Sequence, residues 1–283
     1  MPHASEKPRE YRVTPRYLAN SDADVSPPIQ RLLAAGWALS HDELANTFVT
    51  APDLRARLAF LPEGEDATYW KISAGRDAFA PPDWLVTFDH KTPPEVVEDF
   101  TAALANAYAQ GPDAYLKSGP QPDGAYVPLQ LLTSGWHLNP ATPFLTHQSP
   151  DNLIRLHRRG QFLQHASEMA GDTERWLFEV GPPRDVWYAT ASSRLPEHLL
   201  HTLATAVADP TPVYRHMWRV DLEHLPAVAT ATPTAPSPLE VARVRAASSR
   251  SLSVPRAAPS TLAYSTTTRP PALPRATVAG RSR

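Results

Sequence analysis

The amino-acid sequence predicts an α+β protein built as two similar domains, each an antiparallel sheet with a long C-terminal helix packed on one face. Three observations carry this expectation. A set of motifs occurs twice, about a hundred residues apart. Between the motifs, apolar and polar residues alternate with the period of a strand. Each copy then closes in an apolar stripe of helical spacing, preceded by prolines and an acid.

The repeat comes first in the argument because a missed repeat misreads the whole fold. Leu32-Leu33-Ala34-Ala35-Gly36-Trp37-Ala38-Leu39 is echoed by Leu131-Leu132-Thr133-Ser134-Gly135-Trp136-His137-Leu138 at an offset of 99. Ala51-Pro52-Asp53 is echoed by Ser149-Pro150-Asp151 at an offset of 98. Trp70 pairs with Trp176, and Trp84 with Trp187 at an offset of 103. Six of the seven tryptophans therefore fall into three ordered pairs, and only Trp218 is left over. The repeat signature is Trp37, Asp53, Trp70 and Trp84 in one copy, and Trp136, Asp151, Trp176 and Trp187 in the other.

Along the chain, residues 1–25 are expected to be a mostly disordered lead-in, with Tyr11, Val13, Tyr17 and Leu18 available to pack on copy one. Copy one spans residues 26–111 and copy two residues 127–213. Each opens with a short helix (29–35; 129–134) that follows proline and stops at glycine. Proline suits a first helical turn, and glycine the left-handed residue past the last. Extended segments follow around 37–39, 47–49, 57–61, 69–73 and 84–88. Their partners lie around 136–138, 144–146, 153–157, 176–180 and 186–191. Arg57-Leu58-Ala59-Phe60 and Ile154-Arg155-Leu156-His157 show the alternation of strands with one buried face.

In the closing helix of copy one, Thr92 is the expected cap, Pro93 and Pro94 fit the first turn, and Glu95 faces the positive helix end. Val96, Val97, Phe100, Leu104 and Tyr108 make its stripe. Leu199, Leu200, Leu203 and Val207 do the same in copy two, after Pro196 and Glu197. A striped helix needs an apolar surface to cover, and half-apolar strands supply one. Residues 112–126, rich in glycine and proline, read as a linker. Residues 214–224 read as a last strand or docking segment. From Leu225 on, Ala, Pro, Ser and Thr make up 38 of 59 residues, too little apolar surface to offset the entropy of ordering. Residues 225–283 are accordingly expected to be a disordered basic tail.

Composition narrows the function classes. The chain has 283 residues, 42% apolar and 20% charged, with 32 prolines and no cysteine. Lack of cysteine excludes a disulfide scaffold, a thiolate zinc site and a cysteine nucleophile. No run of 18 apolar residues exists, so no membrane span is expected. The polar N-terminus lacks the apolar core of a signal peptide, and a cytoplasmic location is the expectation. The net charge of −2 hides an asymmetry. Residues 225–283 carry eight arginines and one acid, which leaves the rest of the chain acidic. Such a tail can fold back on its own body or reach for a polyanion.

The Gly-Trp after a leucine pair, the Pro-Asp turn, the spaced tryptophans and the helix entered through proline, all duplicated over about residues 12–215, resemble a known family. They are similar to the actinobacterial SPDY-domain proteins, a domain of unknown function named for a Ser-Pro-Asp-Tyr motif. Val13-Thr14-Pro15-Arg16-Tyr17-Leu18-Ala19 resembles the lead-in such proteins carry. The fourth motif position departs, with Asn152 in copy two and Leu54 in copy one, and copy one opens on Ala51. The resemblance implies a two-copy arrangement and an actinobacterial, cytosolic origin. It implies no activity, no cofactor and no catalytic residue.

Each candidate chemistry meets a plainer reading. The paired tryptophans suit a stacking platform, but core packing is favoured because equivalent core positions survive a duplication. Each buried indole removes roughly 150–250 Å² from water, on the order of 4–6 kcal/mol gross at about 25 cal/mol per Å². The Pro-Asp turns suit a ligand loop, but proline presets φ and aspartate bonds its own downstream backbone. His198 and His201 lie one helical turn apart, yet copy one has Glu95 and Glu98 there, and no third ligand is spaced to join them. No Gly-x-Ser-x-Gly, His-Glu-x-x-His or phosphate-binding glycine motif occurs. Basic residues cluster at Arg155, Arg158 and Arg159, and in the tail at Arg243, Arg245 and Arg250, where they suit phosphate contacts.

The expectation is a non-catalytic protein-binding or scaffold protein without a cofactor. A nucleic-acid-associated protein using the tail is the alternative. An enzyme with an inter-domain site is the third reading.

Overall fold

The computed structural model describes residues 8–20, 24–63, 68–117, 135–141 and 144–234. The chain starts in strand β1 (Arg9–Thr14) and enters helix α1 (Ser26–Ala34) through Pro27 and Pro28. Gly36, at φ 84°, closes that helix in the left-handed conformation that glycine adopts freely. Five strands follow: β2 (Ala38–His41), β3 (Thr47–Thr50), β4 (Ala56–Phe60), β5 (Thr68–Ala74) and β6 (Trp84–Asp89). Helix α2 (Pro94–Gln110) and the short α3 (Pro112–Leu116) end the first half. The second half repeats the order with β7 (His137–Ala141), β8 (Phe144–Gln148), β9 (Ile154–Arg159), β10 (Trp176–Val180) and β11 (Trp187–Ala191). Helix α4 (His165–Ala170) interrupts it between β9 and β10, and helix α5 (Glu197–Ala208) closes it. Then come β12 (Val213–Met217), α6 (Arg219–Glu223) and β13 (Thr230–Pro233). Among the described residues no helix is long and apolar enough to cross a membrane.

The ten strands of the two copies form one antiparallel sheet, not two. Its order is β2-β3-β4-β5-β6-β11-β10-β9-β8-β7, so the second copy runs outward as the mirror of the first. Residues up to Thr234 make one compact unit, which corrects the expectation of two separate domains. The physical reason is that β6 and β11 would each be a free edge in a separate sheet, with unpaired N–H and C=O groups. They satisfy each other, with Phe88 opposite Ala189, Thr87 opposite Thr190 and Val86 opposite Ala191. Side chains extend this junction at both ends. The Tyr188 N–H donates to the Asp89 carboxylate at 2.9 Å, and the Leu85 N–H donates to the Ser192 hydroxyl at 2.9 Å. These are equivalent positions in the two copies.

One face of the sheet is the core. Trp84, Val86 and Phe88 of β6, and Trp187, Ala189 and Ala191 of β11, are all fully buried. Helices α1, α2 and α5 lie side by side over the sheet's apolar residues. Phe100 of α2 meets Trp84 and Phe88 edge-on, with ring centroids 6.4 and 6.1 Å apart. The six paired tryptophans are all buried, whereas Trp218 is 44% exposed.

A buried indole N–H must find an acceptor, and here the two copies serve each other. Trp84 of copy one donates to the backbone carbonyl of Tyr115, at 2.8 Å, and the Tyr115 phenol donates to Asp53 at 3.1 Å. Trp187 of copy two donates to the carbonyl of Tyr17, at 2.7 Å, and the Tyr17 phenol donates to Asp151. Tyr17 and Tyr115 are themselves equivalent, each followed by leucine and 98 residues apart. The segment that leads into copy one therefore docks on copy two, and the segment that leads into copy two docks on copy one. This corrects the expectation that Tyr17 packs on copy one.

Further boundaries differ from expectation. The lead-in is not mostly disordered from residue 8 on. It pairs as β1 in a three-stranded sheet of order β12-β1-β13, and Val13, Tyr17 and Leu18 are buried. Arg215 of β12 is 5% exposed because its guanidinium donates to the carbonyls of Arg16 and Leu18. Arg16 in turn bonds Asp99 of α2 and Asp209 beyond α5. The expected linker starts as α3, with Tyr115 and Leu116 buried. Residues 118–126, the second short helix at 129–134 and the tail from 235 lie outside the described residues. The start of the expected tail is strand β13, held against β1. Thr92 does not cap α2. Its hydroxyl donates to Asp89 at 3.0 Å, and Pro93 occupies the cap position.

Tyr17→Phe should lower unfolding free energy by about 1–3 kcal/mol, the cost of leaving a partly buried carboxylate oxygen of Asp151 without its donor. Tyr115→Phe should cost less, about 0.5–1 kcal/mol, because Asp53 is exposed to water. Tyr214→Phe, on a ring 65% exposed, should change it by less than about 0.5 kcal/mol. Urea denaturation of the three variants checks this.

Candidate functional site

The face opposite the helices carries the other half of each strand's alternation. Cross-strand partners share a face, so Ala59, Lys71, Thr87, Thr190, Leu177 and His157 form one row across six adjacent strands. Thr87 and Thr190 sit at its centre, on the junction, with their hydroxyls hydrogen-bonded at 2.7 Å.

Two loops lean over this face. Arg57 donates to the carbonyl of Ala78 at 2.8 Å, which draws the β5–β6 loop over the sheet. Arg175 donates to the carbonyl of Gln161 at 3.0 Å and to the Ser193 hydroxyl at 3.1 Å, which does the same for the β9–β10 connection. Each loop ends in an unburied aromatic ring. Phe79 is 92% exposed and Phe162 is 90% exposed, more than any other large apolar side chain described.

The β9–β10 connection is where the copies differ most. Residues 61–67 join the equivalent strands of copy one, whereas residues 160–175 are used in copy two and include α4. Gly171, at φ 83°, ends that helix. Glu168 pins it down, because one carboxylate oxygen accepts both the N–H and the hydroxyl of Ser193, at 2.7 and 2.8 Å. Between this lid and the junction lies a cavity of about 340 Å³. Its floor includes Lys71, Ser73, Leu85 and Thr87 of copy one and Thr190 of copy two, and its roof is residues 168–174.

The basic cluster named from sequence is split by the sheet. Arg155 and Arg159 lie on the uncovered face. Arg155 pairs with Glu179 at 2.6 Å, and Arg159 with Glu174 at 2.7 Å while its guanidinium covers the Phe144 ring at 4.7 Å. His157 lies between them, 3.3 Å from Glu179 and 2.8 Å from Thr146. Arg158 points to the other face and lies over the Trp176 ring at 5.6 Å. Arg243, Arg245 and Arg250 lie outside the described residues. Among the described residues no group of three or more histidines and acids converges as a metal site.

Asp53 and Asp151 are turn residues with a second duty. One oxygen of Asp151 accepts the Ser149 hydroxyl and the Leu153 N–H, and the other accepts the Tyr17 phenol. In copy one, Ala51 removes the hydroxyl, and Asp53 accepts the Arg55 N–H at 3.1 Å. The next residues, Leu54 and Asn152, adopt φ of 63° and 62°. That conformation suits asparagine and strains leucine. Burial pushes the Asp151 carboxyl up, but the bonds from Ser149, Tyr17 and Leu153 outweigh it and hold the group below the usual carboxylate range.

The tryptophan platform expected as the lesser reading does not form, because the six paired indoles are buried on the helix side. Sequence reasoning missed Phe79, Phe162, α4 and the tyrosine pair. Only the last two left a trace, in the longer offset after β9 and in the repeated Tyr-Leu. Residues 50–109 and 148–213 match the SPDY family model, described as a domain of unknown function (DUF317). No curated protein and no solved structure matches the chain.

The depressed Asp151 group stabilises the fold above its unfolded value of about 4, and that stability is lost as pH falls through the folded value. Asp151→Asn should therefore flatten the decline in melting temperature between about pH 5 and pH 3. Thermal melts across that range, against the parent chain, measure it.

Proposed function

From a chain that carries two SPDY domains in tandem, we propose a non-catalytic protein-binding protein of the cytosol that meets its partner through the uncovered sheet face. The exposure of Phe79 and Phe162 carries the reading. Aromatic side chains held out into water by bonded loops are the kind of anchor that dominates interface energetics. The loops are fixed by Arg57 and Arg175, so little ordering entropy remains to oppose docking.

The charged groups of the same face support binding over catalysis. Arg155, His157 and Glu179 are mutually engaged, and Arg159 is engaged by Glu174. The same pairings weaken a phosphate contact by Arg155 and Arg159, because guanidiniums already neutralised by carboxylates release few phosphate counterions.

The test uses the full chain as bait in nuclease-treated extract, beside Phe79→Ala/Phe162→Ala. A partner recovered by the parent chain is purified and titrated against both. The double variant should bind at least about tenfold more weakly, because an anchor ring contributes on the order of 1–2 kcal/mol. Equal affinity would remove the face from consideration.

A further inference from the structure

We infer that an aromatic notch at the rim of copy one binds the head of a small methylated ammonium compound of the choline type, independently of any protein partner. The notch lies on the helix side of the sheet, where the end of β4, the start of β5 and the end of β6 meet the start of α2. Its volume is about 60 Å³. At about 10–15 Å³ for each water-sized atom, that is room for roughly four to six of them, the size of a trimethylammonium head.

Phe60, Tyr69, Trp70 and His90 line the notch and touch in series. Trp70 and Phe60 have ring centroids 4.5 Å apart, Phe60 and Tyr69 5.9 Å, and Tyr69 and His90 5.5 Å. Their planes are inclined at 44°, 83° and 51°. Rings stacked in parallel would shut their negative faces against one another, whereas rings inclined in this way keep part of each face free. Tyr69 joins the set through an irregularity in the sheet. Thr68 is opposite Asp89 and Trp70 opposite Phe88, so Tyr69 is an extra residue in β5. Strict alternation would send it to the other face from Trp70, and a bulge re-aims a side chain in this way.

Copy two shows what the same place does there. Phe60 is the cross-strand partner of Trp70, and Arg158 is the cross-strand partner of Trp176. The Arg158 guanidinium lies over the Trp176 ring at 5.6 Å. The position that brings its own cation to an indole in copy two is thus aromatic in copy one.

The charges nearby give the ligand its sign. No lysine or arginine lines the notch. Through Asn20 and Pro94 it adjoins a second cavity, whose charged residues are Asp24, Glu95, Glu98 and Arg215, beside His216. Glu98 is paired with Arg31 at 2.7 Å, and Glu95 lies 3.6 Å from Arg215. Asp24 accepts the Ser26 N–H, and among the described residues no cation engages it. The charge left over is negative, which favours a cation in the notch. Ring faces attract such a cation, and its methyl groups meet Val25 and Pro94.

The experiment is calorimetric titration of the full chain, at constant ionic strength and about pH 8, where imidazoles are neutral. The titrants are choline, its uncharged isostere 3,3-dimethylbutan-1-ol, and ethanolamine. Choline should saturate one-to-one and bind at least about tenfold more tightly than either of the others. Phe60→Arg, which gives copy one the residue of copy two, should abolish choline binding. Tyr69→Leu, which keeps an apolar side chain but removes the ring, should weaken it at least about fivefold. Unchanged thermal melting of Tyr69→Leu separates that loss from misfolding. Phe79→Ala/Phe162→Ala should leave choline affinity unaltered, so failure here and failure of the partner reading are distinguishable. The inference is overturned if choline does not saturate by about 10 mM, tenfold above a millimolar dissociation constant. It is also overturned if the uncharged alcohol or ethanolamine binds as tightly as choline, or if both variants keep the parent affinity.

Discussion

An indole buried to the last square ångström needs an acceptor for its N–H. In this protein one tyrosine meets that demand in each half, its carbonyl taking the tryptophan N–H while its phenol donates to the aspartate of the tight turn. The contacts cross. Tyr17 precedes copy one but completes copy two, and Tyr115 precedes copy two but completes copy one. Two modules joined in this way cannot be tallied as independent stabilities. The β6–β11 ladder, the shared helical layer and the clasp of Arg16 and Arg215 all rest on those two segments being seated.

Much of the secondary structure was legible because local chemistry dictates it. Alternation placed the strands, and Pro93-Pro94-Glu95 with the stripe to Tyr108 placed α2. Which strand each sheet edge would meet was not legible. Nothing in Val86-Thr87-Phe88 says that its neighbour will be Ala189-Thr190-Ala191 and not a strand of its own copy. That choice is tertiary, made by the need to pair an edge that would otherwise be bare. The lead-in was misread for a related reason. Its few apolar residues looked too sparse to order alone, and their partners lie more than a hundred residues away.

The binding face was legible least of all. Phe79 and Phe162 have no periodicity, and isolated aromatics in loops carry no signal until the loops are seen to be fixed. The arginines carried the opposite error. Arg155, Arg158 and Arg159 look like a basic patch in the sequence, but the alternation of a strand sends Arg158 to the tryptophan side and leaves the others facing acids from β10 and the lid. Charge read along a chain counts residues, whereas charge on a surface counts what remains after pairing.

The connection between β9 and β10 widens a difference that the strands already carry. On the floor, Lys71 lies opposite Thr87 where Leu177 lies opposite Thr190, so the two sides of the junction are unlike. A roof on one side alone adds to that difference. The pocket gains a front and a back, and whatever lodges in it must do so with a defined polarity.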